Sequence, residues 1–270
     1  MKNVCVITGG GSGIGLATAK YMSKKKIFVL AGRSMTKLQR AVLELRELGY
    51  EAYGKACDIS VREQVVELAE YAASLGVIKN VINSAGLSPA MAEPETLIRV
   101  NALGTVYVNE EFSKRMTEGG VIVDVSSNSA YMIPKFLVNK KNFALADVSE
   151  SAFLKKMLCI PKLFKGYQAS SIAYGLSKKF VNWYAAKCAY EYGPKGIRVC
   201  SLSPGLVATD MGNLEAEEGK EIFSTTAEKR IGTPEELGYA LATVADERNG
   251  YLAGVDILVD GGSVNGRFYM

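Results

Sequence analysis

The sequence predicts an α/β protein, a single domain over residues 1–270 built on one doubly wound parallel sheet. Three observations carry this. Short β-branched runs alternate with longer helical patterns along the chain. The strand runs lack polar alternation, as strands buried on both faces do. A glycine-rich loop stands directly between the first strand and the first helix.

The elements follow in order. Val4-Cys5-Val6-Ile7 predicts the first strand and 14–24 the first helix. Residues 27–31 read as a strand and 37–48 as a helix. A third strand is expected at 52–56, then a helix through Val65, Val66, Leu68 and Ala69. Strand 77–82 precedes a helix over 96–116, and strand 121–125 follows. The remaining pattern predicts a helix over 173–190, a strand over 197–202, a helix over 234–245 and a last strand over 255–259.

One stretch breaks the rhythm. Residues 132–167 carry Pro134, Pro161 and Gly166 and read as no single element. Asp147 and Glu150 have the spacing of a helix-capping pair, and Val148, Ala152, Leu154, Met157 and Leu158 are expected to form an apolar face. From residue 135 to 165 seven lysines stand against two acids, about +5 locally, whereas the whole chain is +4.

Composition excludes several chemistries. The chain contains no histidine, which removes histidine triads and most catalytic zinc sites. No metal site is expected. The net charge is too slight to argue for nucleic acid. Five widely spaced cysteines without a C-x-x-C fit a reducing cytoplasm better than a disulfide framework. No apolar run is long enough to span a membrane, and the first residues enter a strand with no room for a signal peptide.

The loop Thr8-Gly9-Gly10-Gly11-Ser12-Gly13-Ile14-Gly15 predicts a dinucleotide site of the Rossmann kind. Gly9 permits the tight turn, Gly13 lets backbone N–H groups approach a pyrophosphate, and Gly15 lets the helix pack close. The helix N-terminus then faces the phosphates. Strand two ends Leu30-Ala31-Gly32-Arg33-Ser34, with a cation where an acid would hold the ribose hydroxyls of NAD(H). Arg33 fits a 2′-phosphate, so NADP(H) is expected ahead of NAD(H).

The spacing Tyr-x-x-x-Lys places a phenol and an ammonium on one helix face, and it occurs at Tyr21/Lys25, Tyr131/Lys135 and Tyr174/Lys178. Ligands of a doubly wound sheet bind at the carboxyl ends of its strands, away from the far end of helix one and hence from Tyr21. Pro134 interrupts any helix joining Tyr131 to Lys135. Tyr174 and Lys178 open a long proline-free helix and are preferred.

The motifs Thr8-Gly9-x-x-x-Gly13-x-Gly15, Asn83-Ser84-Ala85-Gly86, Asn101 in RVNALGT, Ser126-Ser127, Tyr174-x-x-x-Lys178, Pro204-Gly205 and Asp260-Gly261-Gly262 occur in the order of the short-chain dehydrogenase/reductase family, which this sequence resembles from residue 2 to about 263 except for the basic stretch. The resemblance implies hydride transfer between a nicotinamide and a ketone or secondary alcohol. It implies Tyr174 as general acid and base, Lys178 as its activator and ribose ligand, Ser127 as donor to the substrate oxygen, and Asn101 as holder of a water in the proton path. It implies cofactor contacts from Gly9, Ser12, Gly13, Ile14, Gly15, Arg33, Asp58, Ile59, Asn83, Ala85, Gly86, Tyr174, Lys178, Pro204, Gly205, Val207 and Thr209.

Structural roles stand beside these. Asn83 is also suited to tying strands together, Asn101 to bonding the backbone of its own helix, and Asp58 to capping a turn before Ser60. Either Ser126 or Ser127 suits a strand-end cap.

Ser127 precedes Tyr174 by 47 residues, whereas most of the family has little more than a dozen. The basic stretch at about 132–167 is therefore expected to be an insertion. In this the sequence resembles bacterial 3α-hydroxysteroid dehydrogenase/carbonyl reductases, which implies a steroid-like or other bulky apolar ketone and a homodimer or homotetramer. A ketoacyl-thioester reductase and a non-catalytic NADPH-binding regulator are the alternatives. The insertion's expected roles are a substrate lid, a subunit-contact element, a surface for an acidic partner or a membrane, or a solvated basic face over a small satellite core.

Overall fold

Seven parallel strands in the order β3-β2-β1-β4-β5-β6-β7 form the centre of the computed structural model, which describes residues 1–209, 211 and 226–267. The strands are β1 (Asn3–Thr8), β2 (Ile27–Gly32), β3 (Glu51–Ala56), β4 (Val77–Asn83), β5 (Val121–Val125), β6 (Arg198–Pro204) and β7 (Asp256–Val259). The chain builds outward from β1 through β2 to β3, then crosses back to β4 on the other side of β1. That reversal opens a crevice beyond the carboxyl ends of β1 and β4, where the ligands of such sheets bind.

Helices α1 (Gly13–Tyr21), α2 (Met35–Glu47), α3 (Arg62–Leu75), α4 (Pro94–Ile98) and α5 (Gly104–Ser113) follow the first four strands. Two core clusters result. Cys5, Ile7, Phe28, Leu30 and Leu202 pack with Leu38 and Leu45 of α2. Val4, Val6, Val29, Val81 and Ile122 pack on the other face with Leu68 of α3, Val106 and Phe112 of α5 and Phe180. The runs without polar alternation are thus strands covered on both sides, as expected.

The single helix expected over 96–116 is broken. Pro94 starts α4 early, and Arg99–Leu103 form a π-helical turn before α5. Such turns shift the ladder by one residue and re-aim the side chains they carry. The first helix stops at Tyr21 rather than at 24.

The basic stretch folds into short helices. These are α6 (Lys140–Phe143) and α7 (Glu150–Met157), with single 3₁₀ turns at Lys135–Leu137, Ala144–Asp147 and Pro161–Leu163. Asp147 does not cap α7. Ser149 does, its Oγ accepting from Ala152 N at 3.3 Å, while Asp147 pairs with Lys187 at 3.3 Å. Val148 is 80% exposed, and Phe153 takes the inward position with Leu154 and Met157. Nor is there a separate satellite core. Phe143, Phe153, Met157 and Leu158 belong to the main cluster, with the Phe153 and Phe180 rings 4.9 Å apart.

Helix α8 (Gly166–Tyr192) then runs for 27 residues, starting two turns earlier than expected, and places Tyr174 and Lys178 in its interior. The chain closes with α9 (Pro234–Val244), β7 and the short α10 (Ser263–Gly266).

Candidate functional site

The crevice begins with the glycine loop. Gly9 and Gly13 adopt φ of +67° and +56°, a region that disfavours side chains. A Cβ on Gly15 would lie 2.6 Å from Ser84 Oγ and 2.7 Å from Gly9 O, so only glycine lets α1 sit this close to the loop. No side chain caps the N-terminus of α1, and no acid stands in its first turn. Its free N–H groups and positive dipole end suit a phosphate. Ser12 is exposed and Ile14 half-buried on this rim.

Arg33 sits exposed just beyond β2 and has no carboxylate partner among the described residues. Ser34 behind it caps α2 by accepting from Lys37 N at 3.3 Å. Asp58 builds a turn, Oδ1 accepting from Ser60 N at 2.9 Å and Ser60 Oγ at 2.7 Å. The Ile59 side chain points into the protein, buried against Gly104. Only its backbone is left for a ligand.

A polar row crosses the sheet just below the crevice. Thr8, Asn83, Asp124, Ser201 and Asp256 occupy matching positions on five adjacent strands. Thr8 Oγ1 donates to Asn83 Oδ1 at 2.8 Å and accepts from Ala85 N at 3.1 Å. Asn83 Nδ2 donates to Asp124 Oδ1 at 3.0 Å and to Thr105 Oγ1 at 3.3 Å. The Asn83 side chain is thus a tie between strands and α5, so any cofactor contact falls to its backbone. Asp124 was not singled out by sequence, because an acid inside an apolar strand has no local signature. It is fully buried, and burial pushes its carboxyl up to about 6 against the opposing effects of Asn83, Asn109 and Lys178.

Lys178 and Asn101 converge above this row, with Tyr174 one turn before Lys178 on α8. Lys178 is 5% exposed, its Nζ donating to Val125 O at 2.9 Å and lying 5.8 Å from the Tyr174 ring centre. A Cβ on Gly86 would be 3.1 Å from Asn101 Oδ1 and 3.4 Å from Lys178 Nζ, so that glycine is bracketed by both groups. Asn101 rides on the π-helical turn. It binds the loop after β4 rather than its own helix, accepting from Leu87 N at 2.8 Å and donating to Leu87 O at 2.9 Å.

The two serines divide. Ser126 Oγ donates to Lys178 O at 2.9 Å and ties β5 to α8. Ser127 starts the 3₁₀ turn Asn128–Tyr131, and its Oγ accepts from Ser129 N at 3.2 Å.

The rival pairs fall away on tertiary grounds. Tyr21 ends α1 half-exposed, its ring edge-on to Tyr239 at 5.7 Å, and Lys25 lies outside the helix. Tyr131 donates to Asp256 Oδ2 at 2.5 Å; burial and that carboxylate push its phenol far above the usual range. It is the opposite of an activated phenolate. Buried Cys5, Cys57 and Cys188 are pushed up to about 12 by burial, which makes them poor nucleophiles.

Pro204 ends β6 buried, and Gly205 beyond it approaches Asp260 so closely that a Cβ would lie 2.8 Å from its Cα. Val207 pairs with Gly232, and the Thr209 methyl would stand 3.4 Å from a Cβ on Gly13. The chain after β6 thus returns to the glycine loop. The irregular, charged stretch 212–230 is the sequence's candidate for the substrate wall, and most of it, 212–225, lies outside the described residues. Among the described residues no cluster of ligating side chains suits a metal, and no helix is long and apolar enough to cross a membrane.

Known proteins match this chain over nearly its whole length. The family model described as short chain dehydrogenase matches residues 3–138, and that described as enoyl-(acyl carrier protein) reductase matches 162–264. A short-chain dehydrogenase/reductase of Alternaria brassicicola, bsc3, is 31% identical across 97% of this chain and 96% of its own. A galactitol 2-dehydrogenase (L-tagatose-forming) of Cereibacter sphaeroides is 27% identical over 95% and 92%. A short chain dehydrogenase of Burkholderia cenocepacia, solved in complex with NADP, superposes with a TM-score of 0.77 over 97% of both chains at 21% identity.

Proposed function

Because this chain belongs to the short-chain dehydrogenase/reductase family of oxidoreductases, we propose that it transfers hydride between NADP(H) and a ketone or secondary alcohol at the Tyr174 site. The observation that carries this reading is that Asn101 and the buried ammonium of Lys178, one turn beyond Tyr174 on α8, both flank Gly86.

The residues fit a dinucleotide. The positive φ at Gly9 and Gly13, the close approach at Gly15 and the uncapped N-terminus of α1 leave room for a pyrophosphate. Arg33 would take the 2′-phosphate; Asp58 and the Ile59 backbone would meet the adenine. Asn83, Ala85 and Gly86 would pass along the adenosine side through their backbone. Pro204, Gly205, Val207 and Thr209 would border the nicotinamide, and Lys178 its ribose. The bound cofactor supplies the hydride donor or acceptor.

The chain's own residues handle the proton. In reduction Tyr174 donates to the carbonyl oxygen; in oxidation it takes the alcohol's proton. The Lys178 ammonium favours the phenolate and so eases the return of that proton. Ser127 donates a hydrogen bond to the same oxygen and stabilises the charge that develops there. Asn101, clamped by Leu87, holds a water on the way to Lys178.

Residues 132–167 are read as an insertion in a single domain; the two family matches stop at 138 and resume at 162. A steroid-like or other bulky apolar ketone, a homodimer or homotetramer and a cytoplasmic location complete the reading. Free cysteines throughout support the last.

A panel of ketones and secondary alcohols with NADPH and NADH tests the function. Turnover is expected with NADPH. Arg33→Ala should weaken NADPH binding about 10- to 100-fold by removing charge-assisted contacts to the phosphate, with little effect on NADH. Equal losses for both cofactors would remove Arg33 from this role, and no turnover on any carbonyl would favour a nucleotide-binding regulator.

A further inference from the structure

Ser127 does not stand alone at the end of β5. Its Oγ accepts a hydrogen bond from Ser129 N at 3.2 Å and a second from Ser129 Oγ at 2.9 Å. A serine hydroxyl has two lone pairs and one proton. Both lone pairs are therefore engaged, and only the proton remains. Among the described residues its acceptor is Asn128 Oδ1 at 3.5 Å, the outer limit of a hydrogen bond.

We propose that Ser129 is a positioning residue that makes Ser127 an obligate donor to the substrate oxygen. This rests on the reading of Ser127 given above. With both lone pairs filled, Ser127 cannot accept from the hydroxyl of an alcohol. The alcohol's proton is left to Tyr174 alone, and the substrate oxygen keeps one fixed orientation between the two groups. Donation from Ser129 Oγ also polarises Ser127, so its own bond strengthens as negative charge builds on the substrate oxygen. The effect belongs to the transition state more than to the bound ketone, so it falls on kcat rather than KM.

The backbone bond from Ser129 N caps the 3₁₀ turn whatever side chain stands at 129. A substitution there separates the hydroxyl's contribution from the turn's. Ser129→Ala should lower kcat about tenfold, with KM, NADPH affinity and melting temperature nearly unchanged. Ser129→Thr keeps the hydroxyl and should restore kcat to within about twofold. Wild-type kcat in Ser129→Ala, or an equal loss in Ser129→Thr, would overturn the proposal. Ser127→Ala is the control for the reading beneath it. If it loses turnover while Ser129→Ala does not, only the role of Ser129 fails; if Ser127→Ala keeps wild-type turnover, the assignment of the donor itself fails.

Discussion

Asp124 is a carboxyl in a place that penalises its charge, and replacing it with asparagine should stabilise the protein. Its side chain is fully buried and receives N–H bonds from Asn83 and Asn109, both at 3.0 Å. Burial nevertheless raises its pKa from 3.8 to about 6. The sign follows from linkage. A carboxyl that titrates higher folded than unfolded favours the folded state while protonated and loses that advantage as pH rises through the folded value. The penalty is therefore absent below about pH 4, grows between 4 and 6, and is complete at neutral pH. A shift of about two units corresponds to about 3 kcal/mol, of which about half remains at pH 5. Asparagine keeps the shape, carries no charge, and retains one oxygen to accept from Asn83 Nδ2 and Asn109 Nδ2. Urea denaturation of Asp124→Asn and the parent at pH 7.5 and pH 5 should show a gain at the higher pH that shrinks at the lower. A variant less stable at pH 7.5, or a gain independent of pH, would refute the reasoning.

Two further outcomes test the packing. Gly15→Ala should push α1 off Gly9 and Ser84, lowering NADPH affinity and costing about 1–3 kcal/mol, read by cofactor titration and thermal melts. Gly193→Ala, with nothing within 4 Å of its Cβ, is the control and should change neither. Phe153→Ala should cost about 3–5 kcal/mol in a urea titration, because its ring is fully buried against Phe180. A cost near zero would mean that the basic segment is only draped on the domain.

What the sequence made legible was periodic or local. The alternation of strands and helices, the turn at Gly9 and the close packing at Gly15 follow from apolar runs and from glycine's missing side chain, and each is found where expected. What it hid depends on partners distant in the chain. Asp147 has the spacing of a cap, yet its charge is used by Lys187, 40 residues away. The start of α8 carries Gln168, Ser170 and Ser171, which give no apolar stripe; Ser170 is held there by a bond to Ala92 O at 3.0 Å. The π-helical turn at Asn101 leaves no mark on hydrophobic periodicity, although it aims that side chain at Leu87. Tyr131 was set aside because of Pro134, and the proline does separate two 3₁₀ turns. The stronger reason is Asp256, 125 residues on, which keeps the phenol protonated. Ser129 was overlooked, although the Ser-x-Ser spacing at the strand end was open to reading as a hydroxyl pair.

The central claim is that Tyr174 moves the proton while other groups hold the cofactor. Tyr174→Phe tests it most directly, because it deletes one oxygen and keeps the ring that lies beside Lys178. Turnover of any accepted ketone with NADPH should fall by about 10²- to 10⁴-fold, with the NADPH dissociation constant within about twofold of the parent. Turnover near the parent's level would contradict the account.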